Sequence, residues 1–209
     1  MSDARKQNDD TDATQHSSVV TALRKPAMNR ALLLIDLQND YFPGGAMELH
    51  GSLDAGHQAR RLLGSFRRRG LPIFHIQHIG SGLDTHYLLP NTVGAQLHEN
   101  LRPAAGESLI QKKFPNAFRG TNLLDQLDRT SVTQLVIAGM MTHLCVDTTT
   151  RAAADLGFEC FLAHDACATR PLTFGGISVM AASVQTMVLA ALSGVFATVS
   201  AVDELIASA

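Results

Sequence analysis

The absences in this sequence narrow its function before any motif is read. No stretch of about 20 apolar residues occurs, so no segment is expected to span a bilayer. The opening residues MSDARKQNDD lack the apolar core of a secretory leader. Only three cysteines are present, Cys145, Cys160 and Cys167, and none stands in a Cys-x-x-Cys pair. Neither a disulfide framework nor a zinc knuckle is therefore expected, and a reducing, cytoplasmic setting fits best. Long basic runs are missing as well. The formal net charge is −2, and the short cluster Arg67-Arg68-Arg69 falls at the expected end of a helix, where cations complement the dipole. Nucleic acid is accordingly not an expected partner. No Gly-x-Gly-x-x-Gly follows the first apolar run and there is no phosphate-binding loop, which argues against a nucleotide cofactor.

What the chain does have is enough apolar residue for one domain. Of its 209 residues 45% are hydrophobic, which suits a single core rather than two. Residues 1–29 are polar, with almost nothing to bury, and read as a disordered or loosely attached extension ahead of a domain over 30–209. That domain opens on Ala31-Leu-Leu-Leu-Ile35, a continuous apolar run of the kind that marks a strand buried on both faces. Leu53, Ala59, Leu62, Leu63 and Phe66 recur at helical spacing, closed by Gly70. Further strands are expected at 71–77, 108–112, 134–139, 159–165 and 195–199, with helices near 122–127, 144–156 and 177–192 between them. This alternation predicts a three-layer, doubly wound α/β fold with a six-stranded parallel sheet. The segment 79–106 has little periodicity, and connections that long usually carry function.

Ligands of open α/β sheets bind beyond the carboxyl ends of the strands. Asp36 follows the first strand, Lys112 ends the third and Cys145 lies just after the fourth, so a carboxylate, a cation and a thiol converge on one edge. A thiol opening a helix meets the positive end of the dipole and free backbone N–H groups, which favour thiolate and can hold an oxyanion. Asp36 has the chemistry of the base that takes the thiol proton and returns it to a leaving group, and Lys112 that of a fixed charge. The bland alternatives are a buried hydrophobic cysteine, a turn-capping aspartate and a solvated lysine pair. Asp165 also ends a strand on this edge and reads as a structural or rim residue; Cys160 reads as core.

Three blocks resemble the signatures of the isochorismatase-like cysteine hydrolases. They are Asp36-Leu-Gln-Asn-Asp-Tyr-Phe42, Lys112-Lys-Phe-Pro-Asn-Ala-Phe118 and Gly139-Met-Met-Thr-His-Leu-Cys-Val146, and the likeness runs on through 149–158 and 165–170. The resemblance implies an Asp36–Lys112–Cys145 triad, with Lys113 as the fallback lysine. It also implies a cis peptide between Met140 and Met141 beside an oxyanion site. The expected activity is hydrolysis of a small amide or lactam C–N bond through a thioester, without cofactor or metal. Alternatives are an isochorismatase-type or other non-amide hydrolase, or a non-catalytic binder of small ligands. Gln38, Phe42 and His143 are the expected substrate-binding residues, and a homodimer or homotetramer the expected assembly. Leu88-Leu89 and the Ala-rich C-terminal helices supply apolar surface for it. Asp84-Thr-His86 has the spacing of nicotinamidase metal ligands, but the Asp-Trp-His form is missing, and the wording of 76–94 is closer to metal-free, streptothricin-hydrolase-like members. His75 and His78, three apart in a strand, point to opposite faces and cannot chelate together.

Overall fold

The computed structural model of the chain describes residues 29–80 and 86–208. The N-terminal extension expected over 1–29, apart from Asn29, and Asp84 of the Asp-x-His pair lie outside the described residues. Among the described residues no helix is long and apolar enough to cross a membrane.

Six parallel strands form the central sheet. They are β1 (Arg30–Ile35), β2 (Ile73–His78), β3 (Ser108–Lys112), β4 (Gln134–Met140), β5 (Glu159–Ala168) and, after a short hairpin, β8 (Thr198–Ser200). Their order is β3-β2-β1-β4-β5-β8, with every neighbouring pair parallel. Strand order reverses between β1 and β4, so this pair makes the switch point where such sheets bind ligands. The apolar run of β1 serves both faces. Leu32 and Leu34 pack toward α1 (Ser52–Arg69) and α5 (Val202–Ala207), while Ala31, Leu33 and Ile35 pack toward α2 (Leu123–Arg129), α3 (Asp147–Asp155) and α4 (Ala181–Leu192). Full burial of each leucine or isoleucine contributes about 1.5–3 kcal/mol, so this strand anchors both layers. Gly70 ends α1 in the left-handed conformation, its N–H bonded to carbonyls of the last turn.

Two expectations change near the C-terminus. The helix expected from Ile177 starts at Ala181, because Leu172–Phe174 (β6) and Ile177–Val179 (β7) form an antiparallel hairpin. Gly175 and Gly176 both have positive φ, 57° and 79°, as a two-residue hairpin turn requires. The pattern also omits α5, a single short helix after the last strand. Leu88, expected to offer apolar surface, is instead 1% exposed within its own chain. Exposed apolar residues near the C-terminus include Phe174, Ile177, Val179 and Met180 of the hairpin region, Met187 of α4 and Val195 beyond it.

Candidate active site

Asp36 sits immediately after β1 with φ 51°, a left-handed conformation that costs a non-glycine residue about 1–2 kcal/mol. Beside it Gly139 has φ 141°, and a Cβ there would lie 2.0 Å from the Ile35 carbonyl oxygen. Only glycine lets β4 pass this close to the end of β1. The following Met140–Met141 peptide is cis, and Thr142–Val146 form a π-helical turn that runs on into α3. Cys145 therefore lies inside the first turn of a helical segment, at the switch point, and is 3% exposed.

The three residues meet. Lys112 Nζ lies 2.7 Å from Asp36 Oδ2 and 3.2 Å from Cys145 Sγ, with Lys112 and Asp36 side chains fully buried. Lys113, the fallback, is exposed. Asp36 Oδ1 is buried without a hydrogen-bond partner among the described residues. A buried carboxylate oxygen left open beside a thiol is suited to accept its proton. Burial lowers the lysine's affinity for its proton, yet the Asp36 and Cys145 contacts outweigh this and hold the ammonium above its ordinary pKa. Cys145 goes the other way from the expected thiolate. Burial, followed by the Asp36 charge, pushes the thiol up, and Lys112 only partly offsets them. At rest the site holds a thiol, a carboxylate and an ammonium.

A fourth member is His78, which the sequence marks only as a possible metal ligand. It ends β2 in register with Lys112, and its Nδ1 lies 2.9 Å from Lys112 Nζ. The signal was available: strands of a parallel sheet end at one level, so a residue ending β2 belongs with those ending β1 and β3. Asp36, His78 and Cys145 also have ligand atoms within 4.8 Å of one another, a spacing that suits a metal ion. Lys112 Nζ contacts all three, so a cation already stands among them.

A cavity of about 230 Å³ opens onto Cys145, lined in part by Tyr41, His78, Tyr87, Leu88, Lys113 and Leu144. Asp40 helps shape its wall, since its Oδ2 accepts from Leu88 N at 2.6 Å and Oδ1 from Ala46 N at 3.2 Å. The three expected substrate-binding residues lie off this lining. Gln38 is fully buried and bonded to backbone: Nε2 donates to the carbonyls of His78 (2.9 Å) and Ala95 (2.6 Å), and Oε1 accepts from His78 N at 2.8 Å. Phe42 packs on the His98 ring, 4.1 Å between centroids. His143 Nδ1 meets Thr169 Oγ1 at 2.5 Å. Elsewhere, Asp165 accepts from Val202 N at 2.9 Å, tying β5 to the start of α5. Cys160 and Cys167 are buried free thiols, and His86 lies edge-on to Tyr87.

Residues 30–204 match the Isochorismatase domain. The chain is 44% identical to the isochorismatase family protein YddQ of Bacillus subtilis over 176 residues, covering 84% of this chain and 98% of that one. It is 33% identical to a streptothricin hydrolase of Streptomyces noursei over 142 residues, 67% of this chain and 50% of that one. The crystal structure of an isochorismatase-hydrolase homologue from Oleispira antarctica superposes with a TM-score of 0.84 at 44% identity, over 88% of this chain and 99% of the other. A six-stranded switch-point sheet, a buried Asp–Lys–Cys cluster at its carboxyl edge and these matches together place the chain in the isochorismatase family of hydrolases.

Proposed function

We propose that the chain hydrolyses the C–N bond of a small amide or lactam through a thioester on Cys145. The observation that carries this reading is a Cys145 thiol that lines a small cavity while contacting, behind it, a buried ammonium that is itself paired with a carboxylate. Because burial keeps the sulfur protonated, proton transfer accompanies attack. Asp36 takes the thiol proton as Sγ bonds to the carbonyl carbon, and returns it to the nitrogen as the C–N bond breaks. Water then gives a proton to Asp36, its oxygen bonds to the thioester carbon, and the sulfur leaves with that proton. The products are an acid and an amine or ammonia, or a single amino acid from a lactam. Lys112 stays charged throughout and stabilises the developing thiolate and the carboxylate in turn.

A cavity of about 230 Å³ walled by Tyr41, Tyr87, Leu88 and Leu144 favours a small planar or cyclic acyl group. The relative named streptothricin hydrolase supports hydrolysis as the chemistry. A panel of small primary amides and lactams, assayed for ammonia or acid release, tests the reading. A substrate should leave an acyl adduct on Cys145 in rapidly quenched intact-protein mass spectra, and C145A should lose at least about 10³-fold in turnover while keeping its melting midpoint. Full turnover in C145A overturns the covalent route.

A further inference from the structure

The ammonium of Lys112 has three protons and three neighbours: Asp36 Oδ2 at 2.7 Å, His78 Nδ1 at 2.9 Å and Cys145 Sγ at 3.2 Å. An ammonium only donates, so His78 Nδ1 must be a bare acceptor. A neutral imidazole with a bare Nδ1 carries its proton on Nε2. Burial, and then the Lys112 charge, also keep His78 neutral against the pull of Asp36. The ring is held at its backbone as well, since the Gln38 amide bonds both the N–H and the carbonyl of His78. Among the described residues no group accepts from Nε2, and His78 lines the cavity onto which Cys145 opens.

We propose that His78 is a substrate-binding donor, held in place by Gln38 and fixed by Lys112 as the Nε2–H tautomer, presenting that N–H to an oxygen or ring-nitrogen acceptor on the bound amide. The site therefore prefers compounds with such an acceptor over apolar ones of equal size. Gln38 acts as a positioning residue through His78. The kind of acceptor rests on the amide-hydrolase reading; the tautomer and the donor role do not, and both are measured without hydrolysis.

The first measurement uses the unmutated full-length chain with ¹⁵N-labelled histidine at neutral pH. Ring ¹⁵N shifts separate protonated from bare nitrogens, and the His78 pair is identified by its loss in H78N. Nε2 protonated with Nδ1 bare is the expected result; a protonated Nδ1 overturns the proposal. The second compares alkylation of Cys145 by iodoacetamide, which has a carbonyl acceptor, and by allyl iodide, which has none, read by peptide mass. In H78N the Asn oxygen can still accept from Lys112, so the thiol titration midpoint should stay, while the preference for iodoacetamide should fall about tenfold, the worth of one hydrogen bond. An unchanged preference with the midpoint kept overturns the donor role. Were the amide reading wrong, the amide panel would give no adduct while both results here stood.

Discussion

Lys112 and His78 are partnered twice, once in the backbone register of β3 with β2 and again where Nζ reaches Nδ1 at 2.9 Å. The first contact sets the second: neighbours in a parallel pair end at one height, so the long lysine side chain crosses the end of β2 on its way to Asp36. The ammonium is thereby placed between carboxylate and thiol by sheet geometry. Shifting β3 by one residue would turn Lys112 to the opposite face and bring Lys113 inward.

Opposite thiol shifts should follow from removing each charge. Asp36 raises the Cys145 pKa and Lys112 lowers it. The pH midpoint of Cys145 alkylation should therefore move down in D36N and further up in K112M, with K113A unchanged. A shift in K113A and none in K112M would reassign the lysine.

Chelation should leave the rate intact. The donor cluster with metal-like spacing surrounds the Lys112 ammonium, so catalysis by the proposed route needs no added cation. Dialysis of the full chain against a strong chelator, followed by assay on a substrate from the panel, checks this. A loss restored by one divalent metal would contradict it.

At the other end of β3, Glu107 joins three elements. It accepts from Arg67 at 2.7 and 2.9 Å and from Ala104 N at 2.8 Å, and its Oε2 lies 2.8 Å from His75 Nε2. The Arg67 bonds chiefly hold its carboxyl at about 2, below the ordinary 4.5. A lowered carboxyl pKa means weaker proton binding when folded, so this stabilisation is whole above about 4.5 and disappears as pH falls through about 2. His75, lowered chiefly by burial, works in the same direction below its ordinary 6.5. E107Q should cost about 1.5–3 kcal/mol at neutral pH, with the gap from the parent closing between pH 4.5 and 2 in urea denaturation. A gap that stays constant to pH 2 would show that the carboxylate charge contributes nothing.

Self-association should run through the hairpin and α4. Phe174 and Met180 are 92% and 71% exposed, and the 12 residues of α4 carry no charge. Sedimentation should find a dimer or tetramer that F174D/M180D shifts toward monomer. A monomer of 22.4 kDa in the parent chain at micromolar concentration would rule this out.

Much of this protein is local enough to read along the chain. The run 31–35 is apolar without alternation, and only a strand covered on both faces tolerates that, so the three-layer class follows from β1 and its repeats. Asp36, Lys112 and Cys145 each stand where an apolar run stops or a helical one begins, which made their shared edge legible. The hairpin over 172–179 was hidden because its residues continue the apolar character of α4, and three-residue strands are too short to show a period.

Tertiary structure alone decided what the site residues do to one another. Periodicity assigns His78 to a face of β2, but its tautomer follows from an ammonium 34 residues away in sequence. Helix-start logic expected a thiolate at Cys145, and burial beside a second charge reversed it, because desolvation depends on every atom packed around the sulfur. Gln38 similarly carries no mark that its amide is spent on the backbone of His78 rather than on a ligand. Sequence determines which groups arrive at the edge; their protonation and partners are set by distances between strands, which exist only once the sheet has closed.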